Sequence, residues 1–244
     1  VYNGWGKPEP EAELKFGPNI KDWPEMPALS DDILLKVVSH ITDPVTTTDE
    51  LIPSGETSSY RSNPLRLAEF TLSRKDRAKA ILALEKNRAA GKATGDEVAS
   101  VYEALKTSGL NVDPANTVIA STIYANKPGD GSAREQAASC QRVLGAGANL
   151  ALEYATKRYR SNCINWGMLP FLVKSADVVE NGDWVFVPGI RKVLLEGGEE
   201  ATAYAVHDGT VTSFPVSLGH LTAPERQILA DGCLINYYQH SARK

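Results

Sequence analysis

Residues 118–144, VIASTIYANKPGDGSAREQAASCQRVL, decide the fold class. The opening run, Val118 to Tyr124, is short, apolar and β-branched, which suits a strand. A turn follows over Ala125–Gly131, carrying Pro128, Gly129 and Gly131. From about Ser132 to Leu144 the pattern is helical, so the unit is strand, glycine-rich loop, helix. Glycines at such a junction let the backbone approach a ligand and adopt positive φ. The free N–H groups of the first helical turn favour an anion. A serine hydroxyl in that field would have its alkoxide form stabilised, and Arg134 adds a fork suited to a carboxylate. The spacing leaves two readings of Ser132 open: a hydroxyl in an anion site, or an ordinary helix cap.

Upstream, Ile33–Val38 reads as another strand. Residues 43–70 form a long ordered loop rich in Thr, Ser, Pro and Gly. It contains Thr46-Thr-Thr-Asp49, Leu51-Ile-Pro-Ser-Gly55 and Tyr60-Arg-Ser-Asn63, an acid, hydroxyls and an arginine together. Such a loop is either functional or a surface segment using its hydroxyls on its own backbone. Residues 76–110 read as a peripheral helical hairpin, the second arm carrying Val98, Val101, Tyr102 and Leu105 at helical spacing. A further helix is expected over about Asn149–Tyr159. Strands are expected at Trp184–Val187, Lys192–Leu195, Ala201–Val206 and Val211–Val216, with His207-Asp208-Gly209 as a hairpin turn. Thr222-Ala-Pro-Glu225 is a capping box opening a last helix to about Gln239. Residues 1–30 hold Pro8, Pro10, Pro18, Pro24 and Pro27 without a sustained period and read as a linker or wrapping arm. Strands and helices mix throughout, so the class is α/β with a mixed sheet.

Composition narrows the function. With 244 residues, 42% apolar and 23% charged, the chain can build one large core. A net charge of −4 argues against a general nucleic-acid surface, though a local basic pocket is compatible with it. No apolar run approaches the roughly 20 residues of a membrane span. No basic-then-apolar leader is visible, and with Val1 in place of an initiator methionine a processed or excised N-terminus is expected. Cys140, Cys163 and Cys233 lack CxxC spacing, so they are expected to be three separate structural thiols of a cytoplasmic protein, binding no metal. His40, His207, His220 and His240 are scattered and form no ligand set.

Taken together, TTTDELIPSG (46–55), YRSN (60–63), GDGSARE (129–135) and the Asn-x-x-x-x-Gly-x-Leu-Pro stretch from Asn162 to Pro170 closely resemble the C-terminal swivelling domain of the aconitase superfamily. The resemblance runs from about Ile33 to the end and includes LTAPERQILADGCLINYY (221–238). It implies an aconitase-type swivelling domain over residues 31–244, a mixed, barrel-like β-sheet flanked by helices. It also implies the C-terminal domain of a hydratase acting on a hydroxy-polycarboxylate of the citrate or isocitrate type. Ser132 matches the family's catalytic base, Arg134 and Arg61 its carboxylate-binding arginines, and Thr48 and Asp49 line its active site. The family's [4Fe–4S] cluster would be held by N-terminal domains outside this sequence, which become partners alongside the substrate.

Two positions depart from the family pattern. Ala133 replaces the second loop serine, and Glu50 replaces the histidine after the aspartate. They favour an alternative from another class: a catalytically degenerate relative acting as an anion-binding or RNA-regulatory module. Intact Ser132, Arg61 and Arg134 favour the enzyme.

Overall fold

A computed structural model describes residues 4–13, 15–73 and 95–242. Seven strands close into a barrel in the order β1 (Asp32–Ile41), β3 (Thr117–Ala125), β5 (Ala146–Ala151), β6 (Leu169–Leu172), β9 (Thr210–Ser217), β8 (Glu200–His207) and β7 (Trp184–Val187). The first four run parallel; β9, β8 and β7 are antiparallel, and β7 closes against β1. This is the mixed, barrel-like sheet expected.

Alternation along the strands sorts the core. Ile33, Leu35 and Val37 join Leu150, Phe171 and Val187 in one buried cluster, the barrel interior. Leu34, pointing the other way, packs with Trp184 and Phe186 beneath α3 (Gly95–Thr107). Val98, Val101, Tyr102 and Leu105 supply that helix's buried face, as their spacing predicts. The first arm of the expected hairpin lies outside the described residues. A second outer layer covers Val38 and Ile123 with α4 (Arg134–Val143) and α5 (Lys157–Asn165). The interior is tight at Gly147, where a Cβ would come within 2.7 Å of the Ala120 Cβ and 2.9 Å of Ile33 Cδ1.

Four expectations need correction. Residues 149–159 are not one helix: Ala146–Ala151 is the central strand β5, and α5 begins only at Lys157. Every residue of β5 is buried between β3 and β6, and that placement overrides the helical preference of Ala and Leu. Lys192–Leu195 belongs to a helix, α6 (Ile190–Leu195), which starts after Gly189 in the left-handed region at φ 63°. The last helix is broken by Gly232, at φ 96°, into α7 (Ala223–Asp231) and α8 (Leu234–Ala242). The 43–70 stretch carries more regular structure than a loop: a two-residue strand, β2 (Thr46–Thr47), with α1 (Thr48–Leu51) and α2 (Pro64–Ala68). The β8–β9 hairpin turns as expected, with Asp208 and Gly209 at φ 44° and 79°.

The proline-rich arm is seated on the domain by its carbonyls. Arg142 of α4 is buried and donates to Pro27 O (2.9 Å), Ala146 O (3.1 Å) and Gly232 O (3.1 Å). Asn236 Nδ2 donates to Met26 O at 2.9 Å, and Trp23 packs on Trp166 with ring centroids 4.5 Å apart. No helix among the described residues is long and apolar enough to cross a membrane.

Candidate functional site

The two polar stretches singled out in the sequence are held side by side. Strand β2 pairs in parallel with β4 (Pro128–Asp130), Thr46 opposite Pro128 and Thr47 opposite Asp130. The Thr46 N–H donates to Lys127 O at 3.0 Å. Helix α1 starts directly after β2, and α4 starts three residues after Gly131. Gly131 sits at φ 123°, and a Cβ there would lie 2.4 Å from Thr48 Oγ1. Gly129 (φ 97°) lies flat on the Tyr159 ring, which a Cβ would penetrate at 2.2 Å. The loop is thus clamped between α1 and α5, which is why both positions must be glycine. Its floor is rigid: the buried Tyr159 hydroxyl accepts from Gln141 Nε2 (3.0 Å) and Asn149 Nδ2 (3.1 Å). Burial holds that phenol well above its ordinary range.

Ser132 and Arg134 open onto a cleft of about 360 Å³. Glu135 completes their side; Lys157, Arg158, Ser161 and Asn162 of α5 form the other, so every lining residue is polar. Ser132 is exposed and Arg134 half-buried, its Nε out of solvent and without a partner. Ser132 does not cap α4. The N-cap is Ala133, with no side-chain hydrogen bond, so the first-turn N–H groups stay available. Glu135 is turned to Trp166, whose Nε1 donates to Oε1 at 3.1 Å. The first turns of α4 and α5 both reach this cleft, and their dipoles add to the three cations.

The remaining candidates are placed differently. Thr48 is buried beneath Gly131, and Asp49, next on α1, is exposed. Arg61 closes the 3₁₀ turn Ser58–Tyr60, is exposed, and does not line the cleft. Glu50 has a structural task. Its Oε2 accepts from the Thr47 N–H (2.7 Å) and Oγ1 (2.9 Å), while the Glu50 N–H donates back to Thr47 Oγ1, a capping box for α1.

The cysteines do not fit a metal cluster. All three are buried in the outer core layer and unpaired. Burial pushes the Cys140 and Cys163 thiols up to about 12, which disfavours the thiolate a metal requires. Among the described residues no three His, Cys, Asp or Glu side chains converge as ligands. The histidines are engaged one by one: His40 with Ala176 O, His207 with Asp183, His220 with Glu199, His240 with Asp231. A larger cleft of about 410 Å³ lies elsewhere, lined by Glu97, Asp183, Trp184, His207 and Asp208 among others. Its acidic lining repels the anions that the smaller cleft is built to attract.

No family model matches the chain, and no curated protein matches it. Among solved structures, the crystal structure of 3-isopropylmalate dehydratase (leuD) from Methanocaldococcus jannaschii superimposes with a TM-score of 0.52. The match spans 87% of this chain and 96% of that one at 21% identity. The chain has the aconitase-type swivelling-domain fold.

Within the swivelling-domain fold, the residues that sequence reasoning missed are Lys157 and Arg158. The misplaced helix hid them. At the end of a 149–159 helix, two cations look like ordinary complements to the dipole. In the structure they stand in the first turn of α5, where cations are disfavoured by about 0.3–1 kcal/mol each. The signal available was Thr156 as an N-cap followed at once by two bases.

Proposed function

We propose that the chain is the swivelling domain of an aconitase-like hydro-lyase acting on a hydroxy-polycarboxylate of the citrate or isocitrate type. The observation carrying this reading is the pairing of β2 with β4, which joins the Thr48 and Ser132 stretches beside the basic cleft. The dehydratase that shares the fold belongs to the same reaction class.

In this mechanism Ser132 Oγ takes the proton from the carbon α to a carboxylate. The electron pair moves into that carboxylate, whose growing negative charge Arg134 holds through its fork. A serine serves as a base only where its alkoxide is stabilised, and two helix N-termini with three cations supply that field. Arg61, on the neighbouring loop, takes a second carboxylate as the domain closes on its partner domains. Those domains would hold the iron–sulfur cluster and take up the departing hydroxide, since the described residues of this chain do not fit a cluster. The degenerate alternative rested on Glu50 and Ala133. Against it, Glu50 has a structural task in the α1 cap, and Ala133 leaves the first-turn N–H groups of α4 open to an anion.

The test is hydration of cis-aconitate by this chain assembled with its cluster-bearing domains. Ser132→Ala should lower kcat by about 10²–10⁴-fold with KM little changed, the mark of a lost proton-transfer group. Turnover that survives this substitution, or an assembled wild-type protein without hydratase activity, would overturn the reading.

A further inference from the structure

Helix α5 carries three basic residues close together, and the structure uses them differently. Arg160 is a structural group, donating from Nη2 to Leu218 O (2.8 Å) and His220 O (3.1 Å). Lys157 and Arg158 are exposed and make no hydrogen bond or ion pair among the described residues. They do not serve the helix, since Thr156 already caps it, its Oγ1 accepting from the Tyr159 N–H at 3.1 Å. Their place in the first turn opposes the dipole, so the helix would be better off without them. A local rule broken without structural return points to a ligand.

What faces them narrows the ligand. Across the cleft stand Ser132 and Arg134, with the Arg134 Nε buried and unpartnered. Glu135 is the single acid among the lining residues, and its Oε1 is engaged by Trp166. Ser161 and Asn162, one turn along from the basic pair, add a hydroxyl and an amide. No lining residue is apolar, so a hydrocarbon arm on the substrate would desolvate two cations without compensation. A carboxylate there would gain charge-assisted hydrogen bonds from both.

We infer that Lys157 and Arg158 form a subsite for a further carboxylate, making the cleft selective for tricarboxylates over dicarboxylates and branched-hydrocarbon acids. This rests on the reading of the Ser132 cleft as the substrate site, but its test does not require turnover.

The chain is titrated calorimetrically at low salt with propane-1,2,3-tricarboxylate and with glutarate, which has the same skeleton without the middle carboxylate. Wild-type protein is expected to bind the tricarboxylate at least tenfold more tightly. The double variant Lys157→Gln/Arg158→Gln should lose that preference, its tricarboxylate affinity falling at least tenfold further than its glutarate affinity. It should also unfold no earlier than wild type on heating, because its dipole clash is relieved; residues with a merely structural role would lower that temperature. A charge-matched control, Lys106→Gln/Lys192→Gln, should bind as wild type, separating a local subsite from overall charge. Wild-type chain that binds the tricarboxylate no more tightly than glutarate overturns the inference, as does a double variant that keeps the preference. If the subsite behaves as expected but the assembled protein hydrates no cis-aconitate, the function proposed above fails and the subsite stands.

Discussion

At Gly131 a methyl group would sit 2.4 Å from the Thr48 hydroxyl, on a backbone whose φ of 123° already disfavours any side chain. Gly131→Ala should therefore destabilise the protein by about 1–3 kcal/mol and displace Ser132 from the cleft. Denaturant titration with cis-aconitate hydration in the assembled protein checks both effects. The cysteines predict the opposite kind of behaviour, inertness. With their thiols buried and pushed up to about 12, Cys140 and Cys163 should resist a thiol-reactive dye at pH 8 until denaturant is added. That Ser132 and Arg134 share a cleft was legible in the sequence, because a glycine-rich turn between a strand and a helix sets both at the helix start. Arg61 was legible as a type but not as a place, since nothing in a polar loop says which way its exposed side chains face.

The capping box of α1 carries a prediction at the level of the element. Thr47→Ala removes both the acceptor for the Glu50 N–H and a donor to its carboxylate, and should cost about 1 kcal/mol. Because Thr47 also belongs to β2, the loss should loosen the β2–β4 pairing, seen as faster amide exchange at Thr46. Elements whose period matched their environment were readable in the sequence, such as β3, the β8–β9 hairpin and α7 with its capping box. Those decided by tertiary placement were not. The run Ala146 to Ala151 lacks the β-branched and aromatic residues that mark a strand and becomes one because small residues line the barrel wall between β3 and β6. One misplaced strand then shifted the start of α5 and reversed the apparent meaning of Lys157 and Arg158.

Over the whole molecule, burial of ionisable groups sets the alkaline limit. A thiol in the unfolded chain titrates near about 8.5, whereas Cys140 and Cys163 in the folded protein are pushed up to about 12. Below pH 8.5 neither state loses these protons, so they do not affect stability. Above it the unfolded chain alone deprotonates, and stability should fall by about 1.4 kcal/mol per pH unit for each thiol as pH climbs towards 12. Tyr154 and Tyr159, also held protonated by burial, steepen the decline beyond about pH 10. Urea titrations at pH 7, 9 and 10 measure the trend, and Cys140→Ala/Cys163→Ala should flatten it between pH 8.5 and 10. The guanidinium of Arg142 has a consequence in time rather than in energy. It gathers carbonyls from Pro27, Ala146 and Gly232, so its ring of bonds closes only once the chain is made through residue 232. During synthesis the proline-rich arm leaves the ribosome ahead of the barrel it packs on and has nowhere to seat until the α7–α8 break follows it out. The arm, made before the barrel, is thus locked after it, and a nascent chain halted before Gly232 should expose its arm to protease while β1 and β3 are already paired.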